Sequence, residues 1–222
     1  KHYQLDVHTK NPFRWPQVRS RLKAILSREK ADLVHVRSRV PAWIALPAAA
    51  ALGIATVSTV HGRFIARSAF KRIYNRKLLK TDHVIAISNY VKDLITSQYV
   101  DVRERLTVVH RGVDVDLFNP DNVNQTRIVN FVEGLAIPED VPVIMLPARA
   151  TMWKGHQILL QALAKIKDRP FICLMIGAGD GKPAFVSELV RYGQQLGLEG
   201  RFRLTPLVDD MPAALMVADV VA

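Results

Sequence analysis

Apolar residues recur along the first half of the chain with two periods, one typical of strands and one typical of helices. Short apolar runs, most of them with β-branched residues, predict strands at residues 33–36, 54–60, 83–87 and 106–110, and alternation of apolar and polar residues predicts one at residues 3–7. Apolar positions at helical spacing predict helices that begin near residues 17 and 41 or that span residues 63–79 and 89–96. Strands that alternate with helices at such short intervals favour a parallel sheet covered on both faces.

The same alternation restarts in the second half, after a polar stretch at residues 112–124. Strands are predicted at residues 142–146, 171–176, 202–204 and from 219 onward. Helices are predicted at residues 125–134, 155–166, 183–196 and 211–218. The pattern therefore predicts two α/β domains with parallel sheets, at residues 1–120 and 121–222. Because the last strand begins just before the chain stops, we expect the second domain to be incomplete.

Charge separates the two halves. The net charge is +11, but residues 1–120 hold 21 lysines and arginines against 9 aspartates and glutamates, whereas residues 121–222 hold 10 against 11. A basic face can meet phosphate, anionic lipid or nucleic acid, or it can be a solvated surface. A single cysteine, Cys173, and the lack of a signal-peptide pattern favour the reducing cytoplasm.

The clearest candidate site follows the predicted strand at residues 142–146. Arg149 comes at the end of that strand, and Lys154 opens the next helix. Ligands of open α/β sheets bind at the carboxyl ends of the strands, and two cations beside a helix N-terminus suit a diphosphate. The alternative is a pair of solvated loop cations. The glycine-rich residues Gly177, Ala178 and Gly179 follow the next strand, where glycine lets backbone approach a ligand or simply turn.

A second candidate lies in the basic half. His61 and Gly62 follow the strand at residues 54–60, again at a carboxyl end. A histidine there can exchange a proton or bind a sugar hydroxyl, or it can be structural. The remaining histidines lack metal-ligand spacing, so no bound metal or other cofactor is expected. The sequence also lacks a Walker loop and a nucleophile-elbow motif.

Seven stretches spread over nearly the whole chain carry a further signal. They are residues 32–39, 59–62, 84–91, 111–120, 148–155, 176–179 and 209–222. In this order they resemble family four of the retaining glycosyltransferases, enzymes built from two Rossmann-like domains in the GT-B arrangement. Each stretch is loose, but the ordered set is specific.

The resemblance implies roles for particular residues. Arg149 and Lys154 would hold the donor diphosphate and neutralise the departing nucleotide. His61 would be catalytic and face the transferred sugar, with Gly62 and Gly112 lining the same cleft. Gly177, Ala178 and Gly179 would lie near the nucleotide base.

The chain departs from the family pattern in three places. The family's glycine-rich loop is expected before residue 3, its paired glutamates are expected beyond residue 222, and Arg111 stands where many relatives have asparagine. The resemblance therefore implies that the first domain is incomplete as well as the second, and that these 222 residues would be inactive alone.

The resemblance also implies a substrate class and a location. The expected reaction transfers a sugar from a nucleotide-diphosphate donor to a lipid-linked or polysaccharide acceptor, as in lipopolysaccharide or capsule synthesis. The basic amphipathic stretch at residues 63–80 would lie on the anionic inner face of the cell membrane, or would be a solvated helix. Two alternatives remain: a nucleotide-sugar epimerase of the same fold, and a basic nucleic-acid-binding protein that is not an enzyme. No recognition motif for nucleic acid is evident, so nucleic acid is not an expected partner.

Overall fold

The computed structural model describes residues 1–62, 64–66 and 68–222. The chain divides into two compact units, Lys1–Gly112 and Val113–Ala222. Each unit contains a four-stranded parallel sheet among its described residues. The predicted architecture, two α/β units with parallel sheets, is confirmed.

Unit 1 carries the sheet order β1-β2-β3-β4. Its strands are β1 (Leu33–Val36), β2 (Ala55–Val60), β3 (His83–Ala86) and β4 (Leu106–Val108). Its α-helices are α1 (Trp15–Arg28), α2 (Arg39–Ala50), α3 (Ala69–Arg76) and α4 (Asn89–Thr96). Short 3-10 helices span Pro12–Arg14, Lys77–Leu79 and Val100–Arg105. Since every neighbouring pair is parallel, all four strands end at the same edge of the sheet.

Unit 2 carries the order β7-β6-β5-β8. Its strands are β5 (Val143–Met145), β6 (Ile172–Ile176), β7 (Phe202–Thr205) and β8 (Val220–Val221). Its α-helices are α5 (Gln125–Gly134), α6 (His156–Ala164), α7 (Pro183–Gln195) and α8 (Met211–Val217), and a 3-10 helix spans Pro120–Asn122. All five residues of β6 are buried, as expected for an inner strand of a parallel sheet, where neighbouring strands and helices cover both faces.

Apolar burial holds each unit together. In unit 1, α2 and the strands supply most of one core, with Ala49, Val84 and Ile95 fully buried. In unit 2, two clusters of buried side chains include members of β6, Cys173 and Met175 in one and Leu174 in the other. A buried aliphatic side chain contributes roughly 1.5–3 kcal/mol to folding, so these clusters fix where the strand ends, and hence the sites, can lie.

Two predicted elements are wrong. The alternating residues 3–7 form no strand. Instead, the Lys1 ammonium and the Tyr3 hydroxyl donate hydrogen bonds of 2.6 and 2.5 Å to the carboxylate of Glu29, which directly follows α1. The helix predicted for residues 63–79 starts only at Ala69, because the hydroxyl of Ser68 accepts the Lys71 N–H and caps it. Arg63 and Arg67 of that prediction lie outside the described residues.

The two units meet in sequence earlier than the predicted division after residue 120. Residues 113–122 hydrogen-bond mainly among themselves, for example from Asn122 to the carbonyl of Asp116 at 2.8 Å. Arg127 of α5 then binds the carbonyl of Asn122 at 3.0 Å. These local bonds explain why the segment belongs to unit 2.

Candidate functional site

Three strand ends of unit 1 bring Arg37, His61 and Arg111 together. Arg37 follows β1, His61 follows β2, and Arg111 lies just beyond β4. The Arg37 Nε–H donates to His61 Nε2 at 3.1 Å, and Arg111 Nη2 lies 3.0 Å from His61 Nδ1. The predicted residue His61 is therefore the centre of a cationic cluster in which two guanidinium groups bracket the imidazole.

The surroundings of His61 favour its neutral form. Burial lowers the pKa of His61, and the charges of Arg37 and Arg111 lower it further. A neutral imidazole has only one acceptor nitrogen, so it can accept from one of the two guanidinium groups but not from both. The second guanidinium retains donor capacity, which an anionic or hydroxyl-bearing ligand can use.

A polar cavity of about 220 Å³ opens beside this cluster and is lined by Arg37, Ser38, Arg39, His61 and Gly62, among others. Arg39 is the first residue of α2, and the Ser38 side chain makes no capping bond there. The first amide N–H groups of a helix lack partners within the helix, so the helix start adds to the attraction for anions. This cavity suits a small anionic or polyhydroxyl group.

Arg39 is held in place rather than free to swing. Its Nη1 donates to the side-chain oxygen of the buried Asn75 at 3.0 Å. Its guanidinium carbon lies 5.6 Å from the ring centroid of Phe64, which also lines the cavity. A cation fixed on two sides loses little freedom when it binds a ligand.

In unit 2, the predicted cations Arg149 and Lys154 both lie in the loop that joins β5 to α6. They are exposed, and neither forms an ion pair with any described residue. Lys154 Nζ lies 4.6 Å from the ring centroid of Trp153. Gly155 precedes α6 with φ of +83°, a conformation that glycine adopts without strain. The loop thus ends in a sharp turn beside the start of α6.

A residue that the sequence analysis did not single out closes this loop. His156, the first residue of α6, is 1% exposed, and its Nε2 lies 3.0 Å from the carbonyl oxygen of Ala148. The carbonyl can only accept, so Nε2 carries the proton. Burial lowers the pKa of His156, with a smaller contribution from the charge of Lys154. The sequence signal is a histidine directly after Lys154-Gly155, which metal-spacing criteria overlook.

The glycine-rich loop lies against the same structure. A β-carbon built on Gly177 would be 3.7 Å from the backbone nitrogen of Arg149, so the two strand-end loops are in contact. The Gly179 N–H donates to the carbonyl of Thr205 at 2.8 Å, and Ala178 is fully buried. Four of the predicted unit 2 residues, Arg149 and residues 177–179, therefore lie in two adjoining loops, in which Arg149 and Gly179 are exposed and Gly177 and Ala178 are buried.

Gly62 and Gly112, the remaining predicted residues, belong to unit 1. Gly62 lines the polar cavity, and Gly112 follows Arg111 at the end of the unit. Among residues 1–62, 64–66 and 68–222, the structure contains no group of three or more potential metal ligands from histidine, cysteine, aspartate and glutamate. Within these same ranges, no helix is both long enough and apolar enough to cross a bilayer.

Comparisons with known proteins agree with this architecture. Residues 2–117 match the profile described as Glycosyltransferase Family 4. The D-inositol 3-phosphate glycosyltransferase of Xylanimonas cellulosilytica is 32% identical over 134 residues, which are 59% of this chain and 32% of that enzyme. The chain therefore spans about a third of the length of this curated relative.

Solved structures resemble the chain over almost its whole length. A glycosyltransferase from Rickettsia africae ESF-5 matches with a TM-score of 0.85 and 31% identity over 99% of this chain and 58% of its own. Anabaena HepE in complex with UDP-glucose matches with a TM-score of 0.80 and 21% identity over 96% of this chain and 58% of its own. The second likeness concerns the fold alone.

Proposed function

The chain belongs to glycosyltransferase family 4, and from that premise we propose that the protein transfers a sugar, with retention, from a nucleotide-diphosphate donor to an acceptor hydroxyl. The observation that carries the proposal is that the loop with the exposed cations Arg149 and Lys154 adjoins the loop at residues 177–179 in unit 2. Structural neighbours support it: HepE, which shares the fold, has been solved with UDP-glucose. Family membership favours transfer over the epimerase-like alternative.

The groups in and beside these loops each have a task in this reaction. Arg149 and Lys154 bind the diphosphate, and because negative charge grows on the departing nucleotide, they stabilise the transition state more than the bound donor. The free N–H groups at the start of α6 act in the same direction. His156 is a positioning residue, since its bond to Ala148 fixes the loop that carries both cations.

Unit 1 supplies the acceptor side in this proposal. Because His61 is held neutral, its one acceptor nitrogen engages only one of the two flanking arginines, and the other guanidinium can donate a hydrogen bond to a sugar hydroxyl. Arg37 and Arg39 line the adjacent cavity and suit an acceptor that carries an anionic group. The name of the Xylanimonas relative, a D-inositol 3-phosphate glycosyltransferase, fits an acceptor of this kind.

We further propose that the acceptor is lipid-linked or part of a polysaccharide and that the protein works at the anionic inner surface of the cell membrane. The helix α3 is basic and amphipathic, with Lys71, Arg72 and Arg76 exposed, which supports surface binding. Co-sedimentation with vesicles of phosphatidylglycerol at low salt tests this. Failure to sediment, with phosphatidylcholine vesicles as the baseline, would remove the membrane from the proposal.

Calorimetric titration with UDP tests the donor site. Each charge-assisted hydrogen bond contributes about 1.5–3 kcal/mol, so Arg149→Ala and Lys154→Ala should each weaken UDP binding roughly 10- to 100-fold. Lys165→Ala removes an exposed lysine at the end of α6 and should leave the affinity unchanged. Equal UDP affinity in all three variants would refute the assignment, and displacement of UDP by unrelated DNA would favour the nucleic-acid alternative.

A further inference from the structure

An apolar groove in unit 1 lies apart from the residues assigned so far. It has a volume of about 420 Å³, within the range of roughly 300–1,000 Å³ that small-molecule sites occupy. Its lining comes from the segment before α1, from α1, from the start of α2 and from α3. The lining residues used below are Trp15, Val40, Trp43, Phe70, Ile73 and Tyr74.

Stacked aromatic rings form the wall of the groove. The rings of Trp15 and Trp43 stack with centroids 5.8 Å apart, and those of Trp43 and Tyr74 stack at 6.3 Å. On the open side, Phe70 is 79% exposed and Ile73 is 65% exposed. Residues 70, 73 and 74 share one face of α3 because they lie three and four positions apart. Large exposed apolar side chains beside a preformed aromatic wall indicate a binding surface.

The segments that line the groove are cationic, and two of their arginines pair with carboxylates from outside them: Arg14 lies 3.3 Å from Asp6, and Arg76 lies 2.8 Å from Asp101. Residues 7–28 and 33–81, which include every lining residue, hold six and nine lysines and arginines respectively and no aspartate or glutamate. Lys71 Nζ lies 5.4 Å from the Tyr74 ring centroid, and Lys77 Nζ lies 5.5 Å from that of Trp43. Burial lowers the pKa of Lys77, and the positive charges of Lys80 and Arg19 lower it further. An occupant with negative charge at the edge of an apolar body would relieve this repulsion.

The groove and the polar cavity beside His61 flank the same helix start. Arg39 lines the cavity and Val40, the next residue, lines the groove. A ligand with a charged head and an apolar chain could therefore place its head at the arginines and its chain against the tryptophans.

We propose that this groove, called here the aromatic groove, binds the hydrocarbon chain of an anionic lipid phosphate. The assignment rests on the proposed function, since it makes the acceptor a lipid-linked one. Charge complementarity selects an anionic lipid over a neutral one. Each CH₂ group transferred from water to an apolar site improves binding about fourfold, so affinity should rise steeply with chain length.

Tryptophan fluorescence offers a direct measurement. The chain has three tryptophans; in a Trp153→Phe background the two that remain, Trp15 and Trp43, both line the groove. Monomeric decyl phosphate should then change the emission saturably. Hexyl phosphate should bind at least 10-fold more weakly, as should uncharged decyl glucoside, and inorganic phosphate alone should leave the emission unchanged.

Charge placed on the rim gives the decisive variants. Ile73→Glu and Phe70→Glu alter exposed side chains, so the fold should persist, and each should weaken decyl phosphate binding at least 10-fold. Ile158→Glu introduces the same charge at a 71% exposed site on α6 of unit 2 and should have no effect. Vesicles of phosphatidylglycerol should show the same ranking of variants, and those of phosphatidylcholine should not bind.

Several results would overturn the assignment: no saturable response, equal binding of decyl glucoside, or equal binding by Ile73→Glu. Concentration-dependent dimerisation that Ile73→Glu abolishes, without any lipid response, would instead make a second copy of the chain the occupant. UDP binding at Arg149 and Lys154 is measured separately, so loss of the donor site and loss of the lipid site give different outcomes.

Discussion

Gly179→Ala should damage both the stability of unit 2 and its nucleotide site. A β-carbon at residue 179 would lie 2.9 Å from the carbonyl carbon and 3.1 Å from the carbonyl oxygen of Thr205, and 3.0 Å from the nitrogen of Pro206. All three are backbone atoms at the end of β7. A flexible side chain could rotate away from such a contact, whereas backbone that is tied into a sheet cannot.

The cost follows from the way this strain is relieved. Overpacking by one methyl group typically costs about 1–3 kcal/mol, and we expect that loss in the free energy of unfolding of unit 2. The loop can instead shift outward, which breaks the 2.8 Å bond from the Gly179 N–H to Thr205 and moves Gly177 relative to Arg149. Either route should weaken UDP binding about 10-fold.

Gly134→Ala is the matched control. Gly134 is the last residue of α5, and a β-carbon there would meet no atom within 4 Å. Alanine in an open helical position should stabilise the unit by about 0.5–1 kcal/mol. The urea dependence of Cys173 labelling reports on unit 2, because burial raises the pKa of that thiol to about 12 and keeps it unreactive until the unit opens. Equal labelling midpoints for the two variants would refute the steric argument.

Three further predictions concern charged and hydrogen-bonded groups. Asp210 caps α8 and pairs with Arg127 at 2.7 Å; Asp210→Ala should cost about 1 kcal/mol for the cap, and Asp210→Asn should cost less in urea titrations. Because these bonds hold the pKa of Asp210 at about 2, below its ordinary value, their contribution is present above pH 4 and disappears as the pH falls through 2. Arg37→Gln should raise the pKa of His61 in an NMR titration, because the substitution removes a positive charge that lowers this pKa. Because the folded protein lowers the pKa of His61 below its ordinary value of 6.5, the stability contributed by the neutral imidazole is present above pH 6.5. That stability is lost as the pH falls through the lower pKa of the folded state. His156→Ala should weaken UDP binding severalfold and His156→Gln, whose amide can donate the same bond, should restore part of it; equal affinities would mean that the β5–α6 loop needs no such bond.

The sequence predicts those helices and strands whose positions follow from the pattern of apolar and polar residues within the element itself. The alternation of β-branched strands and amphipathic helices identifies β2, β6 and α5 within a residue or two of their observed bounds. These elements bury one face or both, so apolar residues recur in their sequences in the pattern typical of a buried strand or an amphipathic helix. The wrong strand at residues 3–7 also alternates, but a strand requires a neighbour, and here Glu29 holds Lys1 and Tyr3 instead.

The proximity of the two candidate loops of unit 2 could be predicted from the sequence, because they follow neighbouring strands. Arg149 and Lys154 lie in one loop, and the glycine loop follows the adjacent strand. The contacts of His61 with Arg37 and Arg111 could not be predicted from the sequence, because these arginines lie 24 and 50 residues away from it. Only the register of four parallel strands brings those side chains together.

The excess of lysine and arginine in the first half does not identify a partner from sequence alone, and the structure reduces the number of candidate partners. Charge alone left phosphate, lipid and nucleic acid open, since each attracts lysine and arginine. Proteins that bind single-stranded nucleic acid offer free aromatic faces on which bases stack. Here Trp43 stacks with both Trp15 and Tyr74, so its ring already has aromatic partners. What the groove offers is an aliphatic and aromatic slot beside cationic side chains. That combination favours a hydrocarbon chain with an anionic head over a nucleic acid.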